Sequence, residues 1–166
     1  MDETLGCFVQ FGIFWDALQE YFNHTLTDND FFQILDKYPE FIRPKMLSIL
    51  KYLKKKKQKG HLSQVVIYTN NQGPKTWAYK IKDYFHYKLN FQLFDKVICA
   101  YKLNNVINEK CRTTYQKTVP DLLKCCDLSN NATICFIDDQ YHPKMEHPNV
   151  DDITVKPYLY DLPYFI

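Results

Sequence analysis

The sequence predicts an α/β fold built on parallel strands, and three observations carry that expectation. Four short apolar runs stand out: Val65-Val66-Ile67-Tyr68, Val97-Ile98-Cys99-Ala100, Thr133-Ile134-Cys135-Phe136-Ile137 and Ile153-Thr154-Val155. They are rich in β-branched residues and do not alternate with polar ones, which suits strands covered on both faces. Helical patterns separate the first three runs, whose starts at 65, 97 and 133 are spaced by 32 and 36 residues, the length of a strand–helix–strand unit. A chain of 166 residues fits one domain. At that size folding buries roughly 70% of the unfolded surface, so the core needs no staples.

In chain order the elements read as follows. Phe14, Leu18, Tyr21 and Phe22 form one helical stripe, and Phe31, Phe32, Ile34 and Leu35 belong to a second short helical segment. Pro44 then opens a helix carrying Met46, Leu47, Leu50 and Leu53. It closes in Lys54-Lys55-Lys56-Lys57-Gln58-Lys59-Gly60, where cations on the last turn and a glycine beyond it are expected helix-end chemistry. The charge run therefore reads first as a solvated helix end and second as a phosphate or nucleic-acid patch. After the first strand, Trp77, Ile81, Phe85 and Leu89 recur every four residues on a helix opened by Pro74. Thr118 can cap a further helix with Pro120 in its first turn and Leu122 and Leu123 beyond.

Composition narrows the function. Glycine is scarce, and Gly6, Gly12, Gly60 and Gly73 form neither a G-x-G-x-x-G nor a Walker loop, which excludes a glycine-rich phosphate cradle. A net charge of +2 argues against nucleic-acid binding by bulk electrostatics. No apolar run is long enough for a membrane span or set up as a secretory signal, so an intracellular protein, cytoplasmic or nuclear and not membrane-bound, is expected. The six cysteines contain no C-x-x-C pair, and Cys99 and Cys135 sit inside apolar runs, which reads as buried reduced thiols. Cys125-Cys126 read as helix residues packed on the sheet. All but Arg43 and Arg112 of the 21 basic residues are lysine. Oligomeric state is not legible.

Ligands of open parallel sheets bind beyond the carboxyl ends of the strands. Polar groups gather there in three segments: Asp2-Glu3-Thr4-Leu5, Thr69-Asn70-Asn71 after the first strand, and Asp138-Asp139 after the third. Lys117 adds a cation just before the helix begun at Thr118. Each has a bland explanation as a cap or a turn; the ordered set is less easily dismissed. Downstream, His142 and His147 flank Glu146, but Pro143 and Pro148 suggest a loop in place of one helical face.

The order Asp-Glu-Thr-Leu, Val-Val-Ile-Tyr-Thr-Asn, Tyr115-Gln116-Lys117 and Cys-Phe-Ile-Asp-Asp-Gln resembles the four motifs of the haloacid-dehalogenase superfamily. Within it the chain is most similar to the NLI-interacting-factor and C-terminal-domain phosphatases. Ile42-Arg43-Pro44 and Leu93-Phe94-Asp95-Lys96-Val97-Ile98 add to the likeness, which spans most of the chain. The resemblance implies a single domain, residues 1–166, with an open parallel sheet flanked by helices. It also implies a Mg²⁺-dependent phosphomonoester hydrolase that forms an aspartyl-phosphate on a phosphorylated protein or a small phosphomonoester. Carried over by motif, Asp2 is the general acid/base, Thr69 the phosphate-binding hydroxyl with Asn70 assisting, and Lys117 the charge neutraliser. Asp138 and Asp139 hold Mg²⁺ or orient Lys117, and the backbone carbonyl of Asp2 is a further metal ligand.

Two departures from the pattern matter. The family motif is Asp-x-Asp-x-Thr; Asp2 and Thr4 take its last two places, so the nucleophile falls one residue before Met1, together with the central strand. Either translation starts upstream, or the chain is a catalytically silent member that binds a phosphorylated partner or serves as a scaffold. A central strand contributes much of a domain's stability of about 5–15 kcal/mol, which favours the first. In addition, residues 7–40 read as aromatic-rich helices, a helical insert or small cap where the resemblance implies a β-rich one. The aromatics there read foremost as core.

Overall fold

The computed structural model describes residues 1–160. Helices α1 (Phe8–Phe22), α2 (Asp28–Lys37) and α3 (Met46–Gln58) come first, with a short 3-10 turn at Pro39–Phe41 between the last two. Then follow β1 (Val66–Tyr68), α4 (Lys75–Leu89), β2 (Lys96–Ile98), a two-stranded hairpin of β3 (Lys102–Leu103) and β4 (Val106–Ile107), and α5 (Val119–Cys126). The chain continues through β5 (Ile134–Asp138), a 3-10 turn at Pro143–Met145 and β6 (Val150–Thr154). The α/β class and all four expected strands are present.

The strands form separate parallel pairs in place of one open sheet. β1 pairs with β2 (Ile67 opposite Val97, Tyr68 opposite Ile98), and β5 pairs with β6 (Ile137 opposite Ile153). One edge of β1 and one edge of β5 have no strand partner among the described residues. The β1–β2 pair is covered on both faces, as its unbroken apolar runs require. Ile67 and Val97 join the larger core with α1 to α4, while Tyr68 and Ile98 join a second cluster with Val119, Leu122 and Phe136. The β5–β6 pair corrects the expectation of two covered faces. Phe136 packs inward, but Cys135, Ile137 and Ile153 are exposed, because α5 covers only one side of this pair.

Local chemistry accounts for the helices. Thr118 caps α5 by accepting from the Asp121 N–H at 3.2 Å, as the sequence suggests. Thr27 and Asp30 form a reciprocal capping box on α2. Pro74 sits at the N-cap of α4, while α3 begins two residues after Pro44, with Lys45 in a left-handed conformation at its cap. The lysine run ends α3 as expected. Lys54 donates to the Leu89 carbonyl at 2.8 Å and Lys57 to the Leu93 carbonyl at 2.9 Å, so two of its cations tie α3 to the end of α4 and the turn beyond it.

The helices of residues 7–40 do not form a detached cap. Phe8, Phe11, Phe31 and Leu35 are fully buried and share one core with Ile67, Ile81, Phe85 and Val97. Phe11 meets Phe31 edge-on at 5.2 Å, and Phe31 meets Trp77 of α4 at 5.5 Å. Such pairs add about 0.5–1.5 kcal/mol each beyond their buried area. Gly6 lets this helical block join the rest: a Cβ there would lie 2.3 Å from the Phe41 carbonyl oxygen.

The cysteines differ from expectation at two places. Cys111 and Cys125 form a disulfide that closes the loop before α5, and Cys135 is exposed. Spacing along the chain gave no sign of the pairing, since the two residues meet only because the 111–118 segment folds back along α5. Cys99 and Cys126 are buried thiols, and burial pushes both above the ordinary thiol range.

Candidate functional site

The polar residues singled out in the sequence meet at the carboxyl ends of β1 and β5. Thr69 follows β1 and is buried. Its Oγ1 accepts the Asn71 N–H at 3.1 Å, and Asn71 Oδ1 accepts the Gly73 N–H at 2.8 Å, so the turn into α4 is fixed by its own side chains. Asn71 Nδ2 then donates to Asp2 Oδ2 at 2.8 Å, joining the N-terminal segment to this turn.

Asp2 lies in a tight turn in which the Leu5 N–H reaches the Met1 carbonyl and the Glu3 N–H reaches the Gly6 carbonyl. Arg43 holds that turn from outside, donating to the carbonyls of Thr4 and Glu3 at 2.6 Å each and of Lys156 at 2.7 Å. Asp2 Oδ1 is buried and has no hydrogen-bond partner among the described residues. Burial raises the Asp2 carboxyl above the usual carboxylate range, against the opposing hydrogen bond from Asn71.

Lys117 and Asp138 form a buried ion pair at 2.5 Å, with the two side chains 5% and 6% exposed. The ammonium lies 5.8 Å from the ring centres of both Tyr68 and Phe136. Asp138 Oδ1 accepts the Gln140 N–H at 2.9 Å. Burial alone would push Asp138 up, but the charge and hydrogen bond of Lys117 outweigh it and hold the carboxyl below its ordinary value. Asp139 Oδ1 accepts the Thr4 hydroxyl at 2.6 Å, which joins the acidic pair to the Asp2 turn.

Asp2 and Thr69 are thus joined through Asn71, Asp139 reaches the Asp2 turn through Thr4, and Lys117 holds the neighbouring Asp138. Asn70 is exposed, and its Oδ1 accepts from Arg112 Nη1 at 2.8 Å. Asn71, which sequence reading left without a role, is the residue that touches Asp2.

Sequence reading also passed over Arg112, and it weighed His142 only with Glu146 and His147. Arg112 is 2% exposed and donates to the carbonyls of Thr69, Cys99, Tyr115 and Gln116 as well as to Asn70. The available signal was its rarity, one of two arginines in a lysine-rich chain. His142 brings Nε2 within 3.4 Å of Asp138 Oδ1. Glu146 instead bonds Tyr141, and His147 Nδ1 accepts the Asn149 N–H, so the histidines and Glu146 have separate partners.

No ready-made group of three or more metal-ligating side chains forms among the described residues. The donors nevertheless suit a hard cation. Asp2 offers an unpartnered buried oxygen, and Asp139 has one oxygen beyond the Thr4 bond. Asp138 Oδ2 is engaged by Lys117. No helix among the described residues is long and apolar enough to cross a membrane. Comparison with protein-family models, with curated proteins and with solved structures finds no match to this chain.

Proposed function

We propose that this chain is a phosphomonoester hydrolase of the haloacid-dehalogenase type, acting through an aspartyl-phosphate on a phosphorylated protein or a small phosphomonoester. The observation that carries the reading is the meeting of Asp2, Thr69, Lys117 and the Asp138-Asp139 pair, from four distant segments, where two parallel strand pairs end. The resemblance expects that order, and no shared helix or hairpin forces those residues together.

The chemistry each residue offers agrees with its role. Thr69 Oγ1 accepts from Asn71, which leaves its proton for a phosphoryl oxygen. Lys117 donates one N–H to Asp138 and keeps two for the phosphate. Asp2, its carboxyl raised by burial, protonates the departing ester oxygen and then takes a proton from the attacking water. Mg²⁺ held by Asp139 and the backbone carbonyl of Asp2 would reduce the repulsion between the carboxylates and the phosphate. On this reading the nucleophile is the first aspartate of the family motif, which residues 1–166 do not include.

The test is hydrolysis of p-nitrophenyl phosphate with Mg²⁺ by this chain and by the same chain extended upstream along its coding sequence. Turnover in the extended chain that Asp2→Asn abolishes supports the assignment. Turnover that survives Asp2→Asn overturns the acid/base role. Phosphate binding without turnover in either chain selects the silent phosphate-binding module.

A further inference from the structure

We propose that Arg112 is a positioning residue of this site. It locks the phosphate-binding segment at Thr69-Asn70 to the lysine-bearing segment at Tyr115–Lys117 and places a buried positive charge beside them. The inference rests on the phosphate reading above and deepens it.

Geometry supplies the first leg. One guanidinium nitrogen, Nη1, donates to the Cys99 carbonyl at 2.9 Å, Asn70 Oδ1 at 2.8 Å and the Thr69 carbonyl at 3.3 Å. The other, Nη2, donates to the carbonyls of Tyr115 at 3.0 Å and Gln116 at 3.1 Å. A single rigid plane therefore joins the end of β1, the end of β2 and the loop that delivers Lys117. A lysine could not replace it, because an ammonium has three donors around a point and no fork. Because the guanidinium only donates, it must take the oxygen of Asn70, which turns the Asn70 NH₂ group away from Arg112 and leaves it to act as a donor.

Charge supplies the second leg. All five acceptors are uncharged oxygens, and no carboxylate pairs with Arg112 among the described residues. The buried carboxylate on α5, Asp121, is engaged by the N–H and hydroxyl of Thr113 at 2.9 Å each. The guanidinium lies over the Tyr68 ring at 4.9 Å, and its Nε has no partner among the described residues. Buried charges are ordinarily paired. Here a bound anion at Thr69 and Lys117 would balance the charge that the protein leaves open.

The experiment compares the wild-type chain, Arg112→Lys and Arg112→Ala, the last with and without millimolar guanidinium. Inorganic phosphate and tungstate are the probes, and the ¹⁵N signals of the Lys117 ammonium and the Arg112 guanidinium are followed by NMR. Arg112→Lys is expected to shift and broaden the Lys117 signal before any ligand is added and to weaken phosphate binding at least tenfold. Guanidinium is expected to restore binding to Arg112→Ala. An unchanged Lys117 signal and affinity in Arg112→Lys overturns the proposal, as does guanidinium that restores thermal stability without affinity. Should both variants fail to fold, the wild type decides: its Arg112 and Lys117 signals must move with one midpoint on adding phosphate, and an Arg112 signal indifferent to phosphate overturns the proposal. A wild type that binds neither anion removes the phosphate reading, and Arg112 is then judged by the Lys117 signal in Arg112→Lys alone.

Discussion

Replacing Asp138 by Asn leaves the Lys117 ammonium buried without its counter-charge, and that perturbation has a calculable size. At 2.5 Å and an effective dielectric constant of about 20 the pair attracts by about 7 kcal/mol. Removing two ions from water costs several kcal/mol each, so the intact pair contributes little net stability relative to apolar residues of the same volume. Removing one partner leaves the other's cost without the attraction. Asp138→Asn and Lys117→Met are each expected to cost about 3–5 kcal/mol, a large part of a domain's stability. Lys117→Met with Asp138→Leu is expected to fall within about 2 kcal/mol of wild type. Urea denaturation at pH 7 of the four proteins measures the cycle. Single variants that each cost under about 1 kcal/mol, or a double variant whose cost equals their sum, would refute the reasoning. The pH dependence follows from the same pair. The Asp138 carboxyl is held below its ordinary value in the fold, so its contribution is complete above the unfolded value of about 3.9 and is lost as pH falls through the lower folded value. The gap between wild type and Asp138→Asn should therefore be flat from neutrality down to about pH 5 and close in stronger acid. The double variant also separates stability from function, since it should fold and yet bind no phosphate.

Three further outcomes are expected. Gly6→Ala forces a methyl group against the Phe41 carbonyl, where the Cys7 N–H already binds, and should cost about 1–3 kcal/mol, read as a fall in Tm; an unchanged Tm would show that the two backbones can part. Reducing the Cys111–Cys125 bridge, whose cysteines are 14 residues apart, should lower stability by about 3 kcal/mol, and Cys111→Ser with Cys125→Ser should abolish the response to reductant. Lys57→Ala removes a bond to the Leu93 carbonyl and should cost about 1 kcal/mol in urea denaturation, whereas replacing Lys55, Lys56 and Lys59 should cost almost nothing. If the run were instead a nucleic-acid patch, the triple replacement would weaken DNA or RNA binding in a filter assay.

Much of this was legible in the sequence because it rests on local patterns. The unbroken runs at 65–68 and 97–100 announced a pair buried on both faces, and Ile67 and Tyr68 do point into different clusters. Thr118 announced its helix through a cap that needs only four residues. The run at 133–137 misled because β-branched composition reports strand preference, while cover depends on what packs above, and only alternate residues of β5 are buried. The Cys111–Cys125 pairing and the Arg112 fork were not legible for a related reason: both join segments whose approach is set by the packing of α5, and no spacing encodes it. Asn70 and Asn71 show the limit most clearly. The two are identical and adjacent, yet opposite directions in one turn send the first to Arg112 and the second to Asp2.

The charges gathered at the site make a last argument for how it would take an anion. Three carboxylates, Asp2, Asp138 and Asp139, stand with two buried cations, Lys117 and Arg112, and with the buried α-amino group of Met1, whose hold on its proton burial weakens. A phosphomonoester adds close to two negative charges at neutral pH, since its second pKa is about 6. On the proposed reading the excess is relieved either by Mg²⁺ or by a proton on Asp2, whose carboxyl burial already raises. Sulfate separates these two routes because it keeps its charge across the range in which Asp2 titrates. Without Mg²⁺, sulfate should bind more tightly as pH falls through the raised Asp2 value, because the neutral carboxyl no longer repels it. Asp2→Asn, neutral at every pH, should bind sulfate tightly at pH 7 and flatten the profile. Mg²⁺ should strengthen binding to the wild type at pH 7 more than to Asp2→Asn, whose neutral amide leaves less repulsion for the cation to offset. Calorimetric titration with sulfate measures all three. A pH profile and a Mg²⁺ response that Asp2→Asn leaves unchanged would show that the Asp2 carboxyl does not repel the anion, and would remove it from the site.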